Sequence, residues 1–394
     1  MLPRALRRLL APAIALAAGV ALTGCGTGGT GTPGSGITVD ACDSGCRLST
    51  TSTASGTATF TVTNTGSRST EYELLDEQGA TTVGEVENLG PGLTRTLNVR
   101  LPAGRYLSLC KPGMSGSGVG RTTLTVTGGG AANASDRAAA TAAATAYLAF
   151  VRSEAKTLLT GTRTFAAAFA AGDGRTAKSL YARTRASYER IEPVAETFGT
   201  LDAALDARQA DVAAGTTWTG WHRIEKDLWH PAAAANGGRP YRPLTAAERA
   251  AQAKTLVSLT QRLVAKVDAP SFTLSADTIA NGAIGLLDEI AATKVTGEEE
   301  IWSHTDLSDF RANVDGAEQA YRGVRDHAKQ QDPALAKTLD ARFAALDAVL
   351  ARHGSAKHGF ASSTTLSTAQ VKALSDAVNA LAEPLSRLTA TVLS

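Results

Sequence analysis

The residues best placed to do chemistry lie in GWHRIEKDLWH, Gly220–His230, where His222 and Glu225 stand three apart. Positions i and i+3 share a helix face, so both side chains can aim at one point. Three chemistries use such a pair: metal ligation, half of a peptidase motif, or a polar pair satisfied in a helical core. A zinc peptidase needs histidines at i and i+4 with a glutamate base and a third ligand. Lys226 stands four residues after His222, so the spacing excludes that use. Trp218, His222, Glu225 and Trp229 recur as a stripe facing a core. A carboxylate on such a stripe must be compensated. A cation held between facing helices would do so, and so would an arginine such as Arg190 or Arg223.

Other acids fit the first answer. Glu189 and Glu192 in YERIEPVAE repeat the three-residue spacing, and GLLDEI sets Asp288 and Glu289 in an otherwise apolar helix. Ferritin-like bundles hold iron with Glu-x-x-His pairs on facing helices, a match here in logic rather than in pattern. The N-terminal half carries a second cluster. The stretch from Glu71 to Glu87 holds six acids and no base, and CKPGM adds sulfur at Cys110 and Met114. Glu71 and Glu73 share one strand face, as do Glu85 and Glu87. Blue copper would need two histidines beside the sulfurs, and none precedes residue 222. Carboxylates beside sulfur could hold a divalent ion; a solvated acidic strand with a structural disulfide is the alternative.

Two kinds of element must position these groups. ATFTVTN, TRTLNVRL and RTTLTVTG alternate and are punctuated by NTGS, GPG and PAG, so residues 37–127 read as an all-β sandwich of about seven short strands. GGGAANAS opens a linker at 128–137. Residues 138–394 are alanine-rich with helical periodicity, broken at Pro193, Pro270, Gly297 and Pro333, which predicts an all-α bundle of seven or more helices.

The first 24 residues hold Arg4, Arg7 and Arg8, no acid, and a short apolar run ending in LTGC. That predicts a secretory signal with a lipidation box at Cys25, followed by a tether over 25–36. The formal net charge is +2, and loss of those three arginines leaves −1, which gives no basic footprint for nucleic acid. Cys42, Cys46 and Cys110 then lie in an oxidising, extracytoplasmic compartment, with one pair and one spare as the simplest account. Which pair forms is open on spacing alone.

Taken together, EVENLGPG, CKPGM, YERIEPVAE, GWHRIEKDLW, GLLDEI and GEEEIWSHTDLSDFRANVDGA resemble the EfeO-type iron-uptake lipoproteins over nearly the whole mature chain. The resemblance implies a cupredoxin-like domain followed by an imelysin-like, HxxE-bearing helical domain. It implies an iron-binding component, lipid-anchored outside the cytoplasmic membrane, that works beside a membrane iron permease and a Dyp-type haem peroxidase. Carried over, the motifs give His222, Glu225, Glu189, Glu192, Asp206 and Glu289 as metal ligands, and Glu71, Glu85, Cys46 and Cys110 as a second site. Cys42 is a departure from the family pattern, so Cys46 and Cys110 are either paired or free for metal. The expected cargo is Fe(II) or Fe(III), with Zn or Cu as other occupants. A non-enzymatic binding protein is the first expectation; a ferroxidase, a metal-dependent hydrolase and a surface scaffold are the alternatives.

Overall fold

A computed structural model describes residues 36–79, 82–114, 116–128, 134–212, 215–290 and 294–393. The expected signal peptide, Cys25 and nearly all of the tether lie outside them.

Among the described residues the N-terminal domain is a β-sandwich of nine strands in two sheets, with orders β2-β1-β4-β7 and β3-β9-β8-β5-β6. The first sheet comprises β1 (Ile37–Cys42), β2 (Gly45–Leu48), β4 (Gly56–Asn64) and β7 (Thr94–Leu101). The second comprises β3 (Ser52–Ala54), β5 (Thr70–Leu75), β6 (Thr82–Leu89), β8 (Gly104–Pro112) and β9 (Val119–Thr127). Alternation does what the sequence leads one to expect: on β4, Ala58, Phe60 and Val62 point inward. On β5, Tyr72 and Leu74 join the core while Glu71 and Glu73 face the other way, opposite Lys111 on β8.

The helical domain follows. Helix α1 (Ala134–Ala170) begins inside the stretch expected as linker, because alanine costs little to hold in a helix. It is followed by α2 (Gly174–Glu189), α3 (Thr200–Asp206), α4 (Trp221–Trp229), α5 (Ala246–Asp268) and α6 (Ala276–Glu289). Helices α7 (Asp306–Gln331), α8 (Pro333–Leu350), α9 (Thr368–Leu385) and α10 (Leu388–Leu393) complete it. Their core centres on Phe165, Phe169, Tyr181 and Trp221, with Trp221 5.0 Å from Phe165 and edge-on to Tyr181. Among the described residues no helix is long and apolar enough to cross a membrane.

Proline ends α2 early. Pro193 has no N–H to give the Glu189 carbonyl four residues earlier and its ring crowds that carbonyl, so after Glu189 the chain leaves the α-helix and enters a 3-10 turn at Glu192–Phe198 with Pro193 in its first turn. Glu192 is therefore not on the helix that carries Glu189. The expected stripe on α4 is also corrected. Trp218 precedes the helix, donates its indole N–H to Ala207 O at 2.7 Å and packs against Trp302. The fully buried tryptophan is Trp221.

Helix α6 joins the two domains. Its Asn281 donates to Asn98 O at 2.8 Å, its Asp277 accepts the Arg100 N–H at 2.8 Å, and Asp288 pairs with Arg95 at 3.4 Å. The partner that Asp288 requires is thus a strand arginine.

Candidate metal centre

The centre is assembled where α3 ends and α4 begins. Gly220 has φ 87°, and a Cβ there would lie 2.0 Å from Leu205 O. Only glycine lets the two helix ends meet this closely. Thr219 Oγ1 donates to Ala204 O at 2.8 Å, which ties the approach to α4 down on the carbonyls of α3. Asp206, at the end of α3, thereby comes to the imidazole of His222 on the first turn of α4.

His222 is 1% exposed and has acids on both sides. Nδ1 lies 3.1 Å from Glu225 Oε2. Nε2 lies 3.3 Å from Glu299 Oε1 and 3.7 Å from Asp206 Oδ1, with no well-directed hydrogen bond to either. Burial and Arg185 push the imidazole toward its neutral form. The acids facing it win, Glu225 through its hydrogen bond and Glu299 and Asp206 through their charge, and its pKa is raised well above the usual range. Glu225 Oε1 accepts the backbone N–H groups of Trp302 at 3.0 Å and Ser303 at 2.7 Å. Glu300 Oε1 accepts from Tyr181 at 3.0 Å and lies 2.9 Å from Arg185 Nε, while its Oε2 accepts from Ser303. The loop GEEEIWSHTD thus supplies Glu299, Glu300 and both backbone donors.

Two buried cations compensate the surrounding acids. Arg185 lies within 2.6 Å of Glu189 and 3.6 Å of Asp309, and also pairs with Asp206. Lys294 Nζ lies 3.0 Å from Glu189 Oε2, 2.9 Å from Glu192 Oε2 and 2.9 Å from Asn313 Oδ1. Burial works against a charged Glu189, but Lys294 and Arg185 overcome it and hold its pKa at about 2. The expected pair Glu189 and Glu192 is thus brought together around an ammonium, and its separation from His222 is bridged by Arg185. Arg190 and Arg223, the arginines expected beside His222, go elsewhere: Arg190 to Glu154 and Asp315, Arg223 to Tyr241.

Asp206 and Glu299 open onto a cleft of about 340 Å³ between the domains. Glu192, Glu196, Asp202 and Glu289 line its helical wall, and Glu85, Glu87 and Met114 its strand wall. Burial, reinforced by neighbouring acids, raises Glu196, Asp202 and Glu289 to about 7, with Lys111 opposing at Glu196, Tyr188 at Asp202 and Lys294 at Glu289. Oxygens of Glu85, Glu87 and Glu196 lie within 4.8 Å of one another, as do those of Glu71, Glu73 and Glu85.

The second site expected from sequence is corrected in its sulfur. Cys46 and Cys110 form a disulfide, so neither offers a thiolate to a metal. Glu71 stays near Glu85 but pairs with Lys111 at 3.2 Å, while Glu73 meets the same ammonium at 2.6 Å.

One imidazole among carboxylates suits hard or borderline cations such as iron, manganese or zinc. The residues that sequence reasoning missed are Glu299, Glu300, Arg185 and Lys294. The run Glu298–Glu300 was a visible signal, but a loop has no periodicity to say which acid turns inward.

Comparison with known proteins agrees in scope with both domains. The imelysin family model (Peptidase_M75) matches residues 143–388. The Iron uptake system component EfeO of Escherichia coli (strain K12) is 35% identical over 358 residues, which cover 89% of this chain and 90% of that protein. The protein of that name from Shigella flexneri matches equally, and that of Escherichia coli O1:K1 / APEC is 36% identical over the same span.

Proposed function

We propose, for a chain that belongs to the imelysin family and is an EfeO-like component of an iron uptake system, that it captures iron at Asp206, His222 and Glu299 and releases it to a membrane permease. The observation that carries this reading is the state of His222 Nε2. It is buried, makes no hydrogen bond, and sits between two carboxylates that face the interdomain cleft. A buried ring nitrogen that faces two carboxylates without a directed hydrogen bond leaves a polar site incompletely satisfied, and a cation shared by the three groups would complete it. Iron is the cargo here, and these three side chains supply nitrogen and oxygen donors to it.

The cleft supports the capture. Glu85, Glu87, Glu196, Asp202 and Glu289 give an approaching cation a continuous path of carboxylates. Of the second site expected from sequence, the carboxylate part is retained in this proposal, with Glu85 as its most accessible member and Glu71 behind it. Glu189, Glu192 and Glu289 act around the centre rather than on the ion, because Lys294 already neutralises the first two. Export, lipid anchoring at Cys25, and cooperation with a Dyp-type haem peroxidase rest on the LTGC stretch and the family resemblance.

Calorimetric titration with Fe(III)-citrate, anaerobic Fe(II) and Zn(II) tests the reading. Wild-type protein should bind, and a His222→Ala/Glu299→Gln variant should lose the site. Equal binding by both would remove the His222 centre from consideration.

A further inference from the structure

We infer that the two residues of the HxxE motif do different work: His222 binds the ion through Nε2, and Glu225 is a positioning residue that never touches it. The inference rests on the capture reading above and assigns roles within that site.

Glu225 has no free edge. Oε1 accepts two backbone N–H groups, from Trp302 at 3.0 Å and Ser303 at 2.7 Å, and Oε2 faces His222 Nδ1 at 3.1 Å. The backbone donors belong to a loop whose own carboxylate, Glu300, is held by Tyr181, Ser303 and Arg185. The side chain is completely buried and does not line the cleft, whereas Asp206 and Glu299 do. A cation that enters by the cleft therefore meets Nε2 first. To reach Glu225 Oε2 it would have to pass the ring and displace a hydrogen bond that the ring itself makes.

Imidazole coordinates through one nitrogen, and a hydrogen bond at the other fixes which one. A carboxylate that accepts Nδ1–H holds the ring in the tautomer whose lone pair is on Nε2, fixes its plane, and raises its basicity. The i, i+3 spacing on α4 provides this geometry without help from another element. The proton balance is simple. Binding takes the Nε2 lone pair, any proton on that nitrogen passing to solvent, and leaves Nδ1–H donated to Glu225.

The test uses the full-length wild-type protein with isotopically labelled histidine and an NMR-active cadmium isotope as the probe. Spin coupling from cadmium to His222 Nε2, with Nδ1 still protonated, is the expected result; His222→Ala identifies the resonance. Coupling to Nδ1 overturns the assignment of roles and leaves the site intact. Absence of coupling to His222 in a cadmium-loaded protein overturns the capture reading itself. Two variants give a second readout with Co(II). Glu225→Gln should weaken binding by about 10- to 100-fold, as loss of an outer-shell partner does, with the visible absorption envelope unchanged. Glu299→Gln should change that envelope because a donor oxygen is lost. An envelope altered as much by Glu225→Gln as by Glu299→Gln would make Glu225 a ligand.

Discussion

The ammonium of Lys294 rests 2.9 Å from Glu192 Oε2, with its side chain wholly buried. The same nitrogen reaches Glu189, so one lysine occupies the point at which two of the acids expected as metal ligands converge. A resident protein cation here leaves the exchangeable one to the neighbouring His222 centre. Lys294→Met should leave Glu189 and Glu192 buried without their main counter-charge. Breaking a buried pair from one side costs about 3–5 kcal/mol. Thermal unfolding without metal should show that loss, and saturating Zn(II) should recover part of it. A variant as stable as wild type without metal would mean that Lys294 does not compensate these acids.

The cleft acids make a pH prediction. Glu196, Asp202 and Glu289 are raised to about 7, chiefly by burial. A group whose pKa is higher in the folded state stabilises it fully below the unfolded value and ceases to as pH rises through the folded one. These three therefore favour the metal-free fold below about pH 4.5 and lose that contribution through pH 7. Glu189, held at about 2, works in the opposite sense and loses its contribution as pH falls below the unfolded range. Metal-free stability should decline between pH 5 and 8 by urea unfolding, and bound Zn(II) should flatten the decline. Metal affinity should rise over the same window, because the cleft carboxylates gain negative charge as they lose their protons and attract the cation to the centre beside them. Metal-free stability that rises from pH 5 to 8 would contradict the cleft assignment.

The limits of the sequence as a guide are physical. His222 with Glu225 was legible because three residues on one helix turn are neighbours whatever the tertiary fold. The same spacing misled at Glu189 and Glu192, where Pro193 ends the helix and the convergence point belongs to Lys294, 102 residues beyond Glu192. Counting through Gly220 placed Trp218 on a helix that begins at Trp221. Strand alternation placed Glu71 with Glu73 and Glu85 with Glu87, but nothing local says that α6 and the 3-10 turn close over β6 to make a cleft of them. Glu299 faces His222 from a loop, where neither a period of two nor one of 3.6 applies.

The disulfide gives a separation of roles. Cys46 and Cys110 are 64 residues apart and tie β2 to β8. Opening a loop of that size costs a fold about 4 kcal/mol on chain-entropy grounds. Cys110→Ser should lower the unfolding midpoint of the β-sandwich while leaving Zn(II) affinity at the His222 centre within about two-fold, since well-separated sites behave independently. Calorimetry on the folded variant reads this directly. A large loss of affinity would return sulfur to the metal chemistry.

Gly220 offers the sharpest test of how the fold builds the centre. Its φ of 87° is strained for any other residue, and a Cβ would fall 2.0 Å from the Leu205 carbonyl oxygen. Gly215 has a comparable φ of 84° with nothing within 4 Å of a Cβ. A positive φ is therefore unfavourable for alanine at both positions. Of the two, Gly220 alone adds the collision. In Gly220→Ala the start of α4 must move away from the end of α3, and Asp206, one residue after Leu205, must separate from His222 Nε2, now 3.7 Å away. Displacement of a ligand by even an ångström is felt strongly at a preorganised site. Gly215→Ala should lose stability alone. Gly220→Ala should lose stability and at least about ten-fold in Zn(II) affinity, the scale of a disturbed metal shell. Paired melts and titrations distinguish the two. Equal affinities in both variants would show that the contact between α3 and α4 does not hold the ligands in register.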